Sequence, residues 1–265
     1  MKQHFLKLPK DAHEFTKELT FCSGNPLREM RKSDSHKKKK RSAGNPAIWH
    51  MEENVKKRLD TLIERYPALL PVRGAIETAY GILKECYDGG GKLLIAGNGG
   101  SCADAQHIVG ELMKGFCKRR PVSAAFREAL QKADPENGTE IAGKLQQGLM
   151  AIALTDHQAL NTAFANDVDA NFVFAQQVYG FGRKGDVLLG ISTSGNSKNL
   201  MYAVPTAKAL GMKVIGLTGK DGGKLAKAAD CAIIVPSKET YMIQELHLPI
   251  YHALCLMLED TYFAE

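Results

Sequence analysis

The chain has 265 residues, of which 44% are hydrophobic and 24% are charged, a composition that is ordinary for a globular protein with a substantial core. No apolar run approaches the roughly 20 residues of a membrane-spanning helix, and residues 1–15 lack the apolar core of a signal peptide, so we expect a cytoplasmic protein. The six cysteines form no C-x-x-C pair and no regular spacing, which argues against a thiolate zinc site or a disulfide framework.

The net charge of +6 belongs to the N-terminal segment. Residues 1–50 contain 12 Lys and Arg against 5 Asp and Glu, whereas the rest of the chain contains 23 against 24. The run "RKSDSHKKKKRSAGNP" has no apolar period, so we predict a basic, disordered extension over residues 1–50. A solvated lysine run is the usual interpretation, and contact with nucleic acid or an anionic surface is the alternative. A translation start at Met51 is a third interpretation.

The pattern changes at Met51, where apolar residues at helical spacing begin. They predict two helices, and "LLIAGNGGS" then predicts a short buried strand that ends in a glycine turn. Residues 115–150 contain two weakly amphipathic stretches, "AAFREALQKA" and "EIAGKLQQGL", on either side of the turn-like "DPENG". We predict a helical insertion there.

Strand and helix patterns alternate in the second half of the chain. Strands are predicted at "DVLLGIS", "KVIGLTG" and "CAIIVP", with helices between them and a long apolar helix at the end. Pro205 and Pro249 fall inside helical patterns and are expected to kink or break them. Continuous apolar strands between helices are typical of a parallel sheet covered on both faces. We therefore predict an α/β domain over residues 51–265.

The segment "STSGNS" at 192–197 is a candidate anion site. It lies between a buried strand and a helix, so that hydroxyl groups and free backbone N–H groups meet at the helix N-terminus, where the helix dipole favours phosphate. The alternative is that one hydroxyl simply caps the helix. Four hydroxyls in six residues exceed what a cap needs, and open α/β sheets bind ligands at this edge, so we favour phosphate.

The earlier segment "AGNGGSCADAQH" has the same order of strand, glycine turn and helix. It lacks the G-x-G-x-x-G spacing, a Walker lysine and the acidic residue expected about 20 positions later, so an NAD-dependent dehydrogenase is disfavoured. Two such loops facing one crevice suit a phosphorylated small molecule better.

His107 and Glu111 follow this loop on one face of the predicted helix, because residues four apart project to the same side. The pair alone is weak support for chemistry, and packing is the alternative. Its position after a phosphate loop favours a functional role.

The C-terminal helix carries a second polar set. Gln244 and His252 lie eight residues apart on one broad face, while His247 points away from His252. Buried polar groups on so apolar a helix need partners. Glu245 and His247 have a simpler interpretation as surface residues or as a local pair.

Five segments resemble, in the same order, the successive motifs of the sugar isomerase (SIS) domain, and within it those of the phosphoheptose isomerases. They are "AGNGGSCADAQHIVGEL", "FANDVDANFVFAQQV", "GDVLLGISTSGNSKNL", "MKVIGLTGKDGG" and "IQELHLPIYH". The resemblance extends from Met51 to the C-terminus. It implies a flavodoxin-like three-layer αβα sandwich with a mostly parallel sheet, and a homotetramer with active sites at subunit interfaces.

The resemblance also implies roles for residues of this chain. Phosphate would be held by Ser101, Ser192, Thr193, Ser194 and Ser197. The sugar would contact Asn98, Gly99, Asp167 and Gln244. Glu111 corresponds to the catalytic base and His252 to its acid partner. The positions that bind zinc in some members match His107, Glu111, Gln244 and His252.

The expected reaction suits these residue types. Aldose–ketose interconversion moves a proton between C1 and C2 through an enediol, and it needs a carboxylate base and a proton donor at the carbonyl oxygen, which a zinc ion could also polarise. The resemblance implies conversion of sedoheptulose 7-phosphate to D-glycero-D-manno-heptose 7-phosphate, in heptose and lipopolysaccharide synthesis. The alternative is a non-catalytic SIS module that senses a phosphosugar or associates with a replication initiator, but those relatives lack the glutamate and histidine that this chain retains.

Three features depart from the family pattern. Tyr241 stands where many members carry an aspartate or another short polar residue. The stretch at 115–150 lengthens a segment that is short in the usual enzymes, and the lysine-rich tail has no counterpart in them.

Overall fold

The computed structural model describes residues 51–263, so the predicted N-terminal extension lies outside the described residues. The strands are β1 Leu93–Gly97, β2 Ala151–Ala153, β3 Val187–Ser192, β4 Lys213–Thr218 and β5 Cys231–Ile234. The helices before β3 are α1 Glu53–Arg65, α2 Arg73–Asp88, α3 Gly100–Met113, α4 Ala124–Ala133, α5 Gly138–Lys144, α6 Gln158–Phe164 and α7 Val173–Phe181. Those after β3 are α8 Lys198–Ala209, α9 Gly223–Ala228 and α10 Thr240–Tyr262.

The five strands form one sheet in the order β2-β1-β3-β4-β5, and every neighbouring pair is parallel. This is the flavodoxin-like order, in which the chain direction across the sheet reverses between β1 and β3. The C-terminal ends of parallel strands all lie at the same edge of the sheet. The loops that follow β1 and β3 are therefore neighbours at this switch point. The predicted fold class is confirmed.

Apolar side chains alternate along the strands and build a core on each face of the sheet. Leu93 and Ile95 join the core under α1, α2, α3 and α10. Leu94 and Ala96 join the second core, which α7 and α8 cover. Burial on both faces explains why the strands are continuously apolar, and it gives the sandwich its three layers. Within residues 51–263 no helix is long and apolar enough to span a membrane.

The stretch at 115–150 forms a helical excursion from the sheet. Helix α4 coincides with the predicted "AAFREALQKA", and the Ser123 hydroxyl caps it by accepting a 3.2 Å hydrogen bond from Phe126 N–H. Helix α5 is shorter than predicted, because the chain leaves it at Leu145 in an extended conformation. An antiparallel bridge between Pro121 and Gln146 closes the base of the excursion.

Neither internal proline breaks its helix. Pro205 lies within α8 and Pro249 within the 23-residue α10, so the expectation of a break is wrong. A proline removes one hydrogen bond from its helix, but Pro249 is buried, and the same helix places Ile243 and Ile250 in the main core. Packing of the surrounding turns outweighs that local loss.

Candidate active site

The loops after β1 and β3 meet through a reciprocal amide pair. Asn98 Nδ2 donates to Asn199 Oδ1 at 3.0 Å, and Asn199 Nδ2 donates back to Asn98 Oδ1 at 2.8 Å. Asn98 directly follows β1, and Asn199 lies in the first turn of α8. The pair joins two segments 101 residues apart, and Asn199 is a residue that sequence analysis missed.

The serine-rich loop folds back on itself at the N-terminus of α8. The hydroxyls of Ser192 and Ser197 are 2.9 Å apart, and Ser194 Oγ accepts from the Asn196 N–H at 3.3 Å. Ser197 is the N-cap residue of α8, but its side chain makes no capping hydrogen bond. Thr193 is half-buried and holds the β4 loop through its carbonyl, which accepts from Gly219 N–H at 3.2 Å. The capping interpretation therefore does not explain this cluster of hydroxyls.

A glycine is required at the tip of this loop. Gly195 has a φ of +64°, and a Cβ at this position would overlap the carbonyl oxygen of Gly222 in the loop after β4. The loops after β3 and β4 are thereby packed backbone to backbone, with Leu225 N–H donating to the Gly195 carbonyl at 2.9 Å. The backbone contacts between these two loops hold the hydroxyl cluster in place.

The loop after β1 is equally tight. Gly99 has a φ of +57°, and Ser101 is buried in the first turn of α3, where it lies against Gly97. A Cβ on Gly100 would lie only 2.5 Å from Gln244 Nε2. The side chain of Gln244 therefore lies against the N-terminus of α3.

Three of the candidate site residues are in contact. His107 Nε2 is 3.2 Å from Glu111 Oε1 and 3.3 Å from His252 Nε2. The two imidazole rings meet edge to face, with centroids 4.8 Å apart. Gln244 lies two turns before His252 on α10, so α3 and α10 together bring all four residues to one side of the crevice.

Glu111 has His107, His252 and Lys114 as titratable neighbours. Lys114 directly follows α3, and its Nζ lies 3.5 Å from Glu111 Oε2. Burial lowers the pKa of His252, and the neighbouring His107 lowers it further, while the Glu111 carboxylate acts in the opposite direction. This environment favours a neutral imidazole at His252 near neutral pH.

The comparisons with known proteins identify the family of this chain. Residues 146–259 match the model of the SIS domain. The chain is 39% identical to a phosphoheptose isomerase of Nitratiruptor sp. over 215 residues, which cover 81% of this chain and 100% of that protein. The chain belongs to the phosphoheptose isomerase family.

Other relatives in the family show the same coverage. A phosphoheptose isomerase of Helicobacter pylori is 39% identical over 211 residues, covering 80% of this chain and 91% of that protein. The solved phosphoheptose isomerase from Francisella tularensis is 35% identical with a TM-score of 0.58, and covers 77% of this chain and 94% of that one. The enzyme from Neisseria gonorrhoeae is 34% identical with a TM-score of 0.57 over 78% and 91% of the two chains.

Some candidate residues of this phosphoheptose isomerase family member lie away from the cluster. Asp167 is exposed in a π-helical segment, Ala165–Asp169, where it accepts a 2.8 Å hydrogen bond from Asn166. Glu245 is exposed, as its simpler interpretation required, and so is Tyr241 in the first turn of α10. His247 is fully buried, so its interpretation as a surface residue is wrong. It faces the core, where α10 packs against the sheet.

The donor types of the cluster fit zinc. Imidazole nitrogens and a carboxylate oxygen are ordinary zinc ligands, and a tetrahedral ion with bonds of roughly 2.0–2.2 Å holds its donor atoms about 3.3 Å apart. The two contacts of His107, at 3.2 and 3.3 Å, have this length. Within residues 51–263, however, no three His, Cys, Asp or Glu side chains are gathered so as to hold an ion together. The contacts of the cluster converge on His107, whose Nε2 meets both Glu111 and His252.

A buried ion pair fixes the two helices that carry the cluster. Arg120 Nη1 and Nη2 donate to the carbonyls of Leu112 and Glu111 at 2.8 and 3.1 Å, at the end of α3. Glu259 on α10 accepts from Arg120 Nε at 2.9 Å and from the N–H groups of Phe116 and Cys117. Sequence analysis missed this pair, since nothing local to either residue identifies its partner.

Proposed function

We propose that this enzyme interconverts sedoheptulose 7-phosphate and D-glycero-D-manno-heptose 7-phosphate. The contact of Glu111, His107 and His252 carries the proposal, because it sets a carboxylate and imidazoles together on the helix that follows the β1 loop. That loop is joined to the hydroxyl-rich loop at the switch point by the Asn98–Asn199 pair. The names of the family relatives support the same substrate class. Heptose synthesis, including that for lipopolysaccharide, is the proposed context, and the cytoplasm is the proposed location.

The phosphate group is proposed to bind between the two loops. The paired hydroxyls of Ser192 and Ser197 lie at the N-terminus of α8, with Ser194 and Thr193 beside them. Ser101 occupies the corresponding place at the start of α3. Hydroxyl donors and the positive ends of two helix dipoles together favour a dianionic ligand. The sugar hydroxyls are proposed to contact Asn98, Gly99, Gln244 and Asp167.

The proton transfer is assigned to Glu111 and His252. Glu111 would remove the C1 proton of the ketose while His252 supplies a proton to the C2 carbonyl oxygen, which gives the enediol. Return of the proton from Glu111 to C2, with transfer of the O1 proton to His252, then forms the aldehyde and restores both residues. Both groups contact His107, so they lie within reach of a single carbonyl group.

Zinc is proposed to be held by His107, Glu111, Gln244 and His252. When bound there, the ion would polarise the substrate carbonyl. The protein residues would then orient the sugar, and the Glu111 carboxylate would be held between His107 and Lys114.

A homotetramer with interfacial active sites is the proposed assembly. Tyr241, Met242 and Leu248 expose large apolar side chains on the half of α10 that carries Gln244. Val168, Phe172 and Tyr179 expose a second apolar surface beside Asp167. Contiguous apolar surface of this kind is typical of protein interfaces.

The decisive experiment compares Glu111→Gln with the wild-type enzyme on a panel of ketose phosphates, with products followed by NMR and metal content measured on the same samples. We expect turnover of the seven-carbon substrate and a fall of roughly 10²- to 10⁴-fold in the variant, because it lacks a general base. Glu245→Gln, which alters an exposed glutamate on α10, is the matched control and should retain full activity. Phosphosugar binding without turnover in the wild type would instead indicate a non-catalytic module.

A further inference from the structure

Tyr251 contacts His107 at Nδ1, the ring nitrogen opposite the one that meets Glu111. Its hydroxyl is 3.0 Å from His107 Nδ1 and 3.3 Å from Asp104 Oδ1. The Tyr251 ring is buried and meets the His107 ring edge to face, with centroids 5.5 Å apart. Asp104 and His107 are one turn apart on α3, whereas Tyr251 belongs to α10. One hydroxyl therefore joins the two helices that build the site.

Asp104 determines which way this hydroxyl points. Asp104 Oδ2 is buried and has no hydrogen-bond partner among the described residues. The Tyr251 hydroxyl, 3.3 Å from Oδ1, is the donor that faces this carboxylate. A buried carboxylate without a donor is unfavourable, and hydrogen bonds to ionised acceptors are stronger than those between neutral groups. The phenolic proton is therefore best placed on the Asp104 side.

This direction has a consequence for His107. A tyrosine hydroxyl has a single proton, so once it donates to Asp104 its oxygen can only accept from His107 Nδ1. His107 then carries its proton on Nδ1, and Nε2 is left with a lone pair. Nε2 is the atom that faces Glu111 and His252. The hydrogen bond on one ring nitrogen sets the chemistry of the other.

We propose that Tyr251, oriented by Asp104, is a positioning residue that holds His107 in its Nδ1-protonated tautomer and presents the Nε2 lone pair as a ligand for zinc. The proposal rests on the proposed function for the identity of the cation. Carboxylate groups commonly orient zinc-bound histidines in this way, and here the tyrosine hydroxyl stands between the two. Loss of such an outer contact typically lowers metal affinity or activity roughly 10- to 100-fold.

The test uses Tyr251→Phe, which keeps the ring and removes the hydroxyl. Tyr80→Phe is the matched control, because Tyr80 is also buried and its hydroxyl pairs with Thr261 at 2.7 Å, outside the site. Two-bond ¹⁵N–¹H NMR of histidine-labelled, zinc-free protein at about pH 8, above the ordinary histidine pKa of roughly 6.5, reports the tautomer. A His107→Asn variant assigns the signals of His107.

We expect the Nδ1-protonated form of His107 in the wild type and in Tyr80→Phe. We expect the Nε2-protonated form in Tyr251→Phe, because Nδ1–H loses its Tyr251 acceptor there while Glu111 remains available to Nε2–H. Zinc affinity, measured by competition with a chelating dye, should fall roughly 10- to 100-fold in Tyr251→Phe alone. In turnover assays kcat should fall while KM is maintained, since the phosphate loops are unchanged.

An Nε2-protonated His107 in the wild type, or equal tautomers and zinc affinities in the two variants, would overturn the proposal. Failure of the wild type to isomerise any sugar phosphate would overturn the proposed function instead. The NMR and zinc measurements still decide the role of Tyr251 in that case.

Discussion

Arg120 and Glu259 form an ion pair whose closest atoms are 2.8 Å apart, and neither side chain is exposed to solvent. Burial disfavours the charged form of Glu259, but hydrogen bonds from the Cys117 and Phe116 N–H groups and from Arg120 outweigh it and lower its pKa. The pair links the end of α3 to α10, so the segments that carry Glu111 and His252 share one buried electrostatic connection.

The first prediction concerns this pair. Arg120→Met leaves the Glu259 charge buried without its partner and should lower the free energy of unfolding by about 3–5 kcal/mol. Lys213→Met removes an ion pair with Asp230 in which the lysine side chain is 60% exposed, and should change stability by less than about 1 kcal/mol. Urea denaturation of both variants gives the comparison. Similar losses of unfolding free energy in the two variants would contradict the prediction that the buried ion pair contributes more to stability than the exposed one.

The second prediction is a pH dependence of stability. Burial lowers the pKa of His247 to about 4, although the Thr218 backbone acts in the opposite direction, so the folded protein keeps this imidazole neutral. The unfolded chain binds a proton at a pKa of roughly 6.5, so below that pH it takes up more protons than the folded state, and stability falls until the folded pKa is reached.

His247→Leu should remove this contribution, which is worth about 3 kcal/mol between pH of roughly 6.5 and 4. Unfolding free energies of the wild type and the variant, measured at several pH values across this window, should converge or cross as the pH falls. If the two plots of unfolding free energy against pH run parallel, protonation of His247 does not cause the loss of stability.

The third prediction separates phosphate binding from helix capping. Ser197→Ala removes a hydroxyl that pairs with Ser192 without capping α8, so we expect KM for the sugar phosphate and the inhibition constant of inorganic phosphate to rise roughly 10-fold or more. Ser123→Ala removes the cap of α4 and should lower stability by about 1 kcal/mol with unchanged KM. Steady-state kinetics and thermal unfolding on both variants distinguish the two roles. A loss of stability with unchanged KM in Ser197→Ala would instead show that Ser197 has a structural role.

The fourth prediction concerns the amide pair of Asn98 and Asn199. If Asn199 acts by orienting Asn98, then Asn98→Ala and the double variant should show the same loss in kcat/KM. Once the Asn98 side chain is absent, Asn199 has nothing left to orient. Asn199→Ala alone should show a smaller loss in the same direction. A double-mutant cycle on kcat/KM measures this coupling, and simple additivity of the two losses would mean that the residues act independently.

Local pattern was sufficient for the architecture and for part of the site. The continuous apolar strands between helices determined a parallel sheet, and parallel strands necessarily bring the loops after β1 and β3 to one edge. The spacing of His107 and Glu111 determined that they share a helix face, and in the structure they are 3.2 Å apart. These relations follow from helix and strand periodicity, which is encoded within a few neighbouring residues.

Contacts between distant segments were decided by the tertiary structure alone. Tyr251 meets Asp104 across 147 residues, and Arg120 meets Glu259 across 139. Periodicity shows which face of a helix is apolar, but it does not show the angle and axial position at which two helices pack, and these determine which polar groups meet. For the same reason the sequence left His247 open to a surface interpretation, whereas packing of α10 against the sheet buries it. The residue pattern thus predicted the fold class, the two loops and the polar face of each helix, whereas the packing of α3 against α10 established which side chains touch.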